Sequence, residues 1–239
     1  MCCRYLLLEQ HYRAIMERLG IGASAEFLSR YNIAPGSDIS VVRTKARMDG
    51  REVTTLRWGL VPAWKKRDAT GSGLVNARAE SLAAKPSFRD ALRLRRCVIP
   101  ASGFYEWEPV GRTRKPWLFR RRDEQPFGLA GLWENWSAPD GTPLETCAVI
   151  TTESNELMRP IHHRMPVILT PEQCAEWLDP RVTAPDALAA LLRPTSAKSM
   201  SALAVSTHVS SVLHEGPECV APAGAETGPA TGSQFSLGL

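Results

Sequence analysis

Residues 97–105 read Cys-Val-Ile-Pro-Ala-Ser-Gly-Phe-Tyr, the β-branched and aromatic composition of a buried strand, interrupted by Pro100 and Gly103. Proline removes a ladder donor and an internal glycine marks a close approach or kink, so this stretch predicts a strand with a bulge or bend. Working outward, short strands are predicted at 39–42, 53–58, 117–120, 128–133, 146–152 and 202–206. Helices are predicted over 9–20, where Ile15, Met16 and Leu19 share a face and Gly20 is the stop, and over 88–94 and 186–192. Thr170-Pro171-Glu172-Gln173 supplies a capping residue, a proline at the first helical position and Gln at the third, opening a helix through Leu178. Residues 31–36 read as a turn and 68–73 as a polar loop. Strands and short helices alternate without a βαβ rhythm, which predicts α+β rather than a doubly wound sheet.

The 239 residues are 44% hydrophobic and 23% charged, an ordinary globular balance that excludes collagen-like, coiled-coil and wholly disordered chains. A net charge of +4 mildly favours an anionic partner and decides nothing alone. No apolar run is long enough to span a membrane, and Leu6, Leu7 and Leu8 are too few for a secretory signal. The six cysteines include no C-x-x-C pair, which disfavours a zinc ribbon, and a core of this size needs no disulfide framework. A reduced, cytoplasmic protein is expected. From Ala221 the chain turns to Gly, Pro, Ala, Ser and Thr with Glu226 as its one charge, which reads as a disordered tail.

Several residues can carry chemistry. If Met1 is removed, Cys2 offers a free amine and a thiol on adjacent carbons, and an aldehyde can condense with the first and close onto the second. An α-amine with a pKa of about 7.7–8.0 is partly neutral near pH 7, and Arg4 favours the thiolate. The alternative is an accident of the reading frame. Extended, Leu74-Val75-Asn76-Ala77-Arg78-Ala79-Glu80 puts Asn76, Arg78 and Glu80 on one face, as either an anion site or a salt-bridged strand edge. Glu106 sits between aromatics in Gly103-Phe104-Tyr105-Glu106-Trp107, a setting that raises a carboxyl pKa, unless it is a core Glu paired with Arg. His162 and His163 suit proton transfer; a turn histidine is the plain alternative, and zinc is disfavoured because adjacent side chains diverge. Basic groups at 65–67, 93–96, 112–115 and 120–122 alternate with Trp58, Trp64, Trp107 and Trp117, a weak signal for nucleic acid.

Taken in order, the motifs become specific. They are Met1-Cys2-x-Arg4, Tyr31-Asn32-Ile33-Ala34-Pro35, Leu56-Arg57-Trp58-Gly59-Leu60-Val61-Pro62-x-Trp64 and Asn76-Ala77-Arg78-Ala79-Glu80. Arg96-Cys97-Val98-Ile99-Pro100-Ala101-x-Gly103-Phe104-Tyr105-Glu106-Trp107, Ala130-Gly131-Leu132-Trp133-Glu134 and Ile161-His162-x-Arg164-Met165-Pro166 follow. This sequence resembles the SRAP (SOS response-associated peptidase) family of abasic site processing proteins. The resemblance implies an SRAP-like abasic-site-binding domain over 2–222 and a disordered tail over 223–239. It also implies a single compact α+β domain with a curved, barrel-like, mostly antiparallel sheet and flanking short helices.

The resemblance further implies binding of single-stranded DNA and covalent trapping of abasic sites through a thiazolidine on Cys2, shielding the lesion in the DNA damage (SOS) response. Asn76 would orient sugar and nucleophile, while Glu106 and His162 would manage protons. Arg4, Arg78 and Arg164 would meet phosphate, and Trp58, Trp64 and Trp107 would form walls or stacking surfaces. Hydrolase, protease and lyase labels follow, with peptidase activity limited to autoproteolytic removal of Met1. No metal and no organic cofactor is expected. The partner is single-stranded DNA containing abasic sites, the state a monomer, no membrane is involved, and the place is cytoplasmic and nucleoid-associated when DNA is bound. Two departures stand out: Cys3 replaces the family's usual Gly, and His163 fills a position that is commonly acidic. Two competing readings are a non-covalent reader of single-stranded or modified DNA and an N-terminal-nucleophile cysteine peptidase.

Overall fold

A computed structural model of the protein describes residues 3–22, 27–45, 50–65 and 73–224. In chain order its strands are β1 (Tyr5–Leu7), β2 (Arg30–Ile33), β3 (Asp38–Thr44), β4 (Arg51–Trp58), β5 (Asn76–Arg78), β6 (Arg96–Ala101), β7 (Gly103–Val110), β8 (Thr113–Arg121), β9 (Phe127–Ser137), β10 (Pro143–Glu153), β11 (Arg164–Pro166), β12 (Ile168–Leu169) and β13 (Met200–Ala204). The α-helices are α1 (Glu9–Arg18), α2 (Pro86–Leu94), α3 (Pro171–Leu178) and α4 (Pro185–Leu191).

Residues 97–105 are two strands rather than one bent strand, and the break at Ser102 organises the molecule. β6 runs in a ring: it pairs with β3 and β9, β3 pairs with β4, and β10 joins β9 antiparallel and β4 parallel. That closes a five-stranded mixed barrel. Past Ser102 the chain leaves the barrel and continues as β7 in a second, antiparallel sheet ordered β13-β8-β7-β1-β2. Chemistry fixes the corner. The β3 ladder ends at Val98, so Pro100 lies beyond it. Ser102 donates its amide to the Leu6 carbonyl at 2.9 Å, and its hydroxyl accepts the Leu8 amide at 2.8 Å. A Cβ at Gly103 would lie 2.9 Å from the Phe119 carbonyl oxygen and the Arg120 Cγ, so only glycine lets the two strands approach.

The barrel strands bury Val41, Leu56, Trp58, Ile99 and Leu129 on one face and Val98, Leu132, Ala148 and Ile150 on the other. Helices close its outside. α1 buries Tyr12, Ile15 and Met16 and ends before Gly20, whose φ of +69° suits glycine. α3 has the anticipated capping box, with the Gln173 amide donating to Thr170 Oγ1 at 3.3 Å and the Thr170 amide to Gln173 Oε1 at 2.9 Å. Its Trp177 donates to the Cys97 carbonyl at 3.0 Å. A smaller apolar cluster of Leu6, Tyr105, Leu118, Val205, Val209 and Cys219 holds the C-terminal segment against the second sheet.

The α+β, barrel-like, mostly antiparallel architecture with short helices agrees with expectation. Two further local readings are corrected. Residues 30–33 form β2, so the turn begins at Ala34 and uses Gly36 at φ +87°. Glu80 leaves strand β5 and stands in a 3-10 turn over Ala79–Ser81, because β5 ends at Arg78. β1, β11 and β12 are too short for a pattern to reveal. Most of the polar loop at 68–73 and of the tail at 223–239 lies outside the described residues, as does Cys2. Among the described residues no helix is long and apolar enough to cross a membrane.

Candidate functional site at the seam of the two sheets

β1 is the link between the N-terminal segment and the site. Tyr5 pairs with Phe104 and Leu6 with Gly103, and the Tyr105 amide donates to the Arg4 carbonyl at 2.9 Å. Continuing this register sets Cys3 level with Glu106. From the barrel side, long β10 carries β5 along its second half, pairing Val149 with Asn76 and Thr151 with Arg78, and β11 along the other edge, pairing Glu153 with Arg164. Strand alternation buries Ala77 and leaves Asn76 and Arg78 outward on one face. Asn76 Nδ2 then donates to Cys3 Sγ at 3.6 Å, joining the two sheets across the seam.

Three titratable groups meet here. Glu106 is 4% exposed, and burial pushes its carboxyl above the ordinary range, with the His163 charge partly opposing. His162 lies in the turn before β11, and burial pushes its pKa below the ordinary imidazole value. His162 Nδ1 lies 3.0 Å from the Arg164 amide and 3.1 Å from the Arg164 carbonyl, so this turn fixes the ring in either tautomer. The His163 ring stacks on it at 4.5 Å between centroids. Burial raises the Cys3 thiol, so it stays protonated near neutral pH. Both shifts favour the uncharged forms, a protonated carboxyl that can give a proton and a free-base imidazole that can take one. Asn76 Oδ1 is buried and has no hydrogen-bond partner among the described residues, an acceptor left for something that enters.

The remaining candidates divide. Arg78 and Trp64 are exposed, Trp64 at 63%, and both face solvent as a ligand contact requires. Trp107 is half-buried, donates to Ser210 Oγ at 3.1 Å and lies 5.4 Å from the Arg4 guanidinium. Arg4 itself is directed inward: its Nη1 donates to Asn32 Oδ1 at 2.6 Å and to the Val209 carbonyl at 2.8 Å. Trp58 is fully buried, edge-on to Tyr5, and donates to the Val75 carbonyl at 3.0 Å, so its ring offers no face to a base. Arg164 forms a two-pronged pair with Glu80, at 2.7 and 3.0 Å, and also donates to the Thr151 carbonyl at 2.6 Å. Spacing could not foresee that pair, because its partners are joined only by the β5-β10-β11 pairing. Asn32, part of a quoted motif but given no role, is the other omission. Among the described residues no group of three or more His, Cys, Asp or Glu side chains is gathered for a metal.

Fold and site together define a small β-barrel protein whose candidate reactive groups lie at the seam with a second sheet rather than inside the barrel. The chain belongs to the SOS response associated peptidase (SRAP) family, whose model it matches over residues 1–212. It is 42% identical over 224 residues to the abasic site processing protein YoqW of Bacillus subtilis (strain 168), covering 92% of this chain and 99% of that one. It is 31% identical to the abasic site processing protein HMCES of Gallus gallus, covering 90% of this chain and 68% of that one. A crystal structure of a Bacteroides thetaiotaomicron protein superposes with a TM-score of 0.81 at 27% identity, over 93% of this chain and all (100%) of that one.

Proposed function

We propose that this protein traps abasic sites in single-stranded DNA as a covalent adduct of Cys2. The ring-opened deoxyribose presents an aldehyde at C1′. The Cys2 amine, free once Met1 is gone, adds to that carbon and water leaves, giving an imine. The Cys2 thiol then adds to the imine carbon; a C–S bond forms, the thiol proton ends on nitrogen, and a thiazolidine closes. The net change is loss of one water.

The observation that carries this reading is the contact between Cys3, the neighbour of the proposed nucleophile, and Asn76, beside a buried carboxyl and a neutral-leaning imidazole. Glu106, protonated to higher pH than an ordinary carboxyl, delivers the proton that ring opening and water loss need. His162, neutral near pH 7, removes one. Asn76 Oδ1 accepts from the sugar or the amine. Cys3 adds a contact and not a second nucleophile, because its nitrogen is an amide and its thiol stays protonated. Arg78 and Trp64 meet the strand. Relatives named as abasic site processing proteins support the substrate. The adduct shields the lesion from strand cleavage, with the protein acting as a cytoplasmic monomer that joins the nucleoid when bound.

Intact mass spectrometry tests this with a single strand whose uracil has been excised by a glycosylase. The expected product has lost Met1, gained the DNA and shed one water, without reductant, and Cys2→Ala yields none. An adduct that persists in Cys2→Ala would move the trap to another nucleophile, and a free, unreacted Cys2 with tightly bound DNA would replace trapping by non-covalent reading.

A further inference from the structure

The segment after β13 carries a loop that the chemistry above does not use. Val212 is 58% exposed and Leu213 is 89% exposed, adjacent apolar side chains at its tip. An apolar tip left in water is ordinarily tolerated on a loose loop, but this loop is fixed. Asn32 Nδ2 donates to the carbonyls of Val209, Ser211 and His214 at 3.3, 2.8 and 2.7 Å. The Arg4 guanidinium bonds the Val209 carbonyl as well, His214 stacks on His208 at 4.0 Å, and Glu215 accepts the Tyr31 amide. Val209 beneath the tip is fully buried in the smaller apolar cluster. Many polar bonds are thus committed to holding two apolar side chains outward.

The loop reaches the seam from the other face of the second sheet. Ser210 is bonded to Trp107, which alternates with Glu106 along β7, and Val209 is held by Arg4, which alternates with Cys3. On the strand beside Trp107, Pro116 is its register partner, followed outward by the exposed cations Lys115 and Arg114. Exposed cations beside apolar and aromatic side chains complement a strand of phosphates and bases.

We propose that Val212 and Leu213 form a nucleobase contact, packing against the face of a base that flanks the lesion while Arg114 and Lys115 meet the phosphates. This rests on the reading of the seam as a DNA site. Pre-ordering matters because a tip already fixed loses little entropy when a base settles on it.

The test measures affinity for a single strand carrying a tetrahydrofuran, an abasic analogue that has no aldehyde, with the Val212→Ser/Leu213→Ser double variant. 2-Aminopurine is placed at successive positions on either side of the lesion. The expected result is about five-fold weaker binding, from the apolar area no longer buried. With it, the wild-type fluorescence change at one flanking position is lost and those elsewhere are kept. Wild-type affinity in the double variant overturns the proposal, as does weaker binding with the fluorescence pattern intact. Trapping by the wild-type protein is assayed in parallel. Binding without trapping, with the tip effect present, breaks the reaction scheme and leaves the base contact standing. Trapping with no tip effect does the reverse.

Discussion

The barrel interior and the seam beside it treat buried polar groups in opposite ways. Within the barrel strands they are taken up by the backbone: Thr146 Oγ1 accepts the Val61 amide at 2.9 Å, and Arg96 donates to the carbonyls of Trp177 and Asp179, each at 2.6 Å, while His11 Nδ1 and Arg95 Nε, buried without a partner among the described residues, lie outside those strands. At the seam, Asn76 keeps a buried acceptor with no hydrogen-bond partner among the described residues, and a carboxyl is desolvated until its pKa rises. Satisfied polar groups tie a core together. Incompletely satisfied ones cost stability and are retained where something is meant to bind. Changes in the barrel should therefore act on folding and changes at the seam on chemistry.

The largest effect expected is in the barrel. Trp58→Ala removes a fully buried indole and its bond to Val75, which should destabilise by about 3–5 kcal/mol in urea unfolding. A loss under about 1 kcal/mol, or weaker DNA binding at unchanged stability, would place Trp58 with the site and collapse the contrast.

Glu106→Gln should do the opposite. Removing the acid slows trapping by about 100-fold. The sign of its pH effect follows from the raised pKa. In the folded state the carboxyl holds its proton to higher pH than in the unfolded chain, so its contribution to stability is present at low pH. That contribution is lost as pH rises from the ordinary carboxyl range through the folded pKa. Glu106→Gln should therefore remove this decline, and trapping by the wild type should weaken over the same rise. A variant that traps at full rate, or whose stability follows pH as the wild type does, would show that Glu106 is structural.

Asn32→Ala tests the join between the regions, since this side chain sits in β2 yet fixes the C-terminal loop. The loss should be about 1–3 kcal/mol, with faster hydrogen exchange confined to residues around 207–215. Exchange that rises evenly through the barrel would mean that the loop is not a separate unit.

What the sequence revealed follows the same division. Barrel strands such as β4, β9 and β10, and the capped helix α3, are long enough to carry alternation or a capping signal, and both are local properties. The single strand expected at 97–105 became two because Ser102 and Gly103 turn the chain through contacts with Leu6, Leu8 and Phe119 that are distant in sequence. Motif order pointed to Asn76, Glu106 and His162, and the seam gathers them. Side-chain direction was not legible. Arg4 and Trp58 look like DNA contacts in a motif, yet one faces Asn32 and the other the core, because pleat and register decide which way each points. The stacked His163 and the loop pinned by Asn32 depend on three-dimensional closure and leave no periodic trace.

The smallest effect separates two roles for the Glu80–Arg164 pair, which lies on the outer edge of the seam. Glu80 is more than half exposed, so breaking the pair should cost less than about 1 kcal/mol of stability. Its consequence for binding is more informative. A phosphate and Glu80 compete for the same guanidinium fork, and Glu80 is held ionised by its bond to Arg164. Glu80→Gln should then tighten single-strand binding by about two- to five-fold and steepen its salt dependence by about one phosphate. If Glu80 instead holds the fork in place for phosphate, the same variant binds more weakly at every salt concentration. An anisotropy titration from low to moderate salt distinguishes them by sign alone. Tightening would extend the contrast outward, since even at its rim the seam would keep a charge occupied only until DNA arrives.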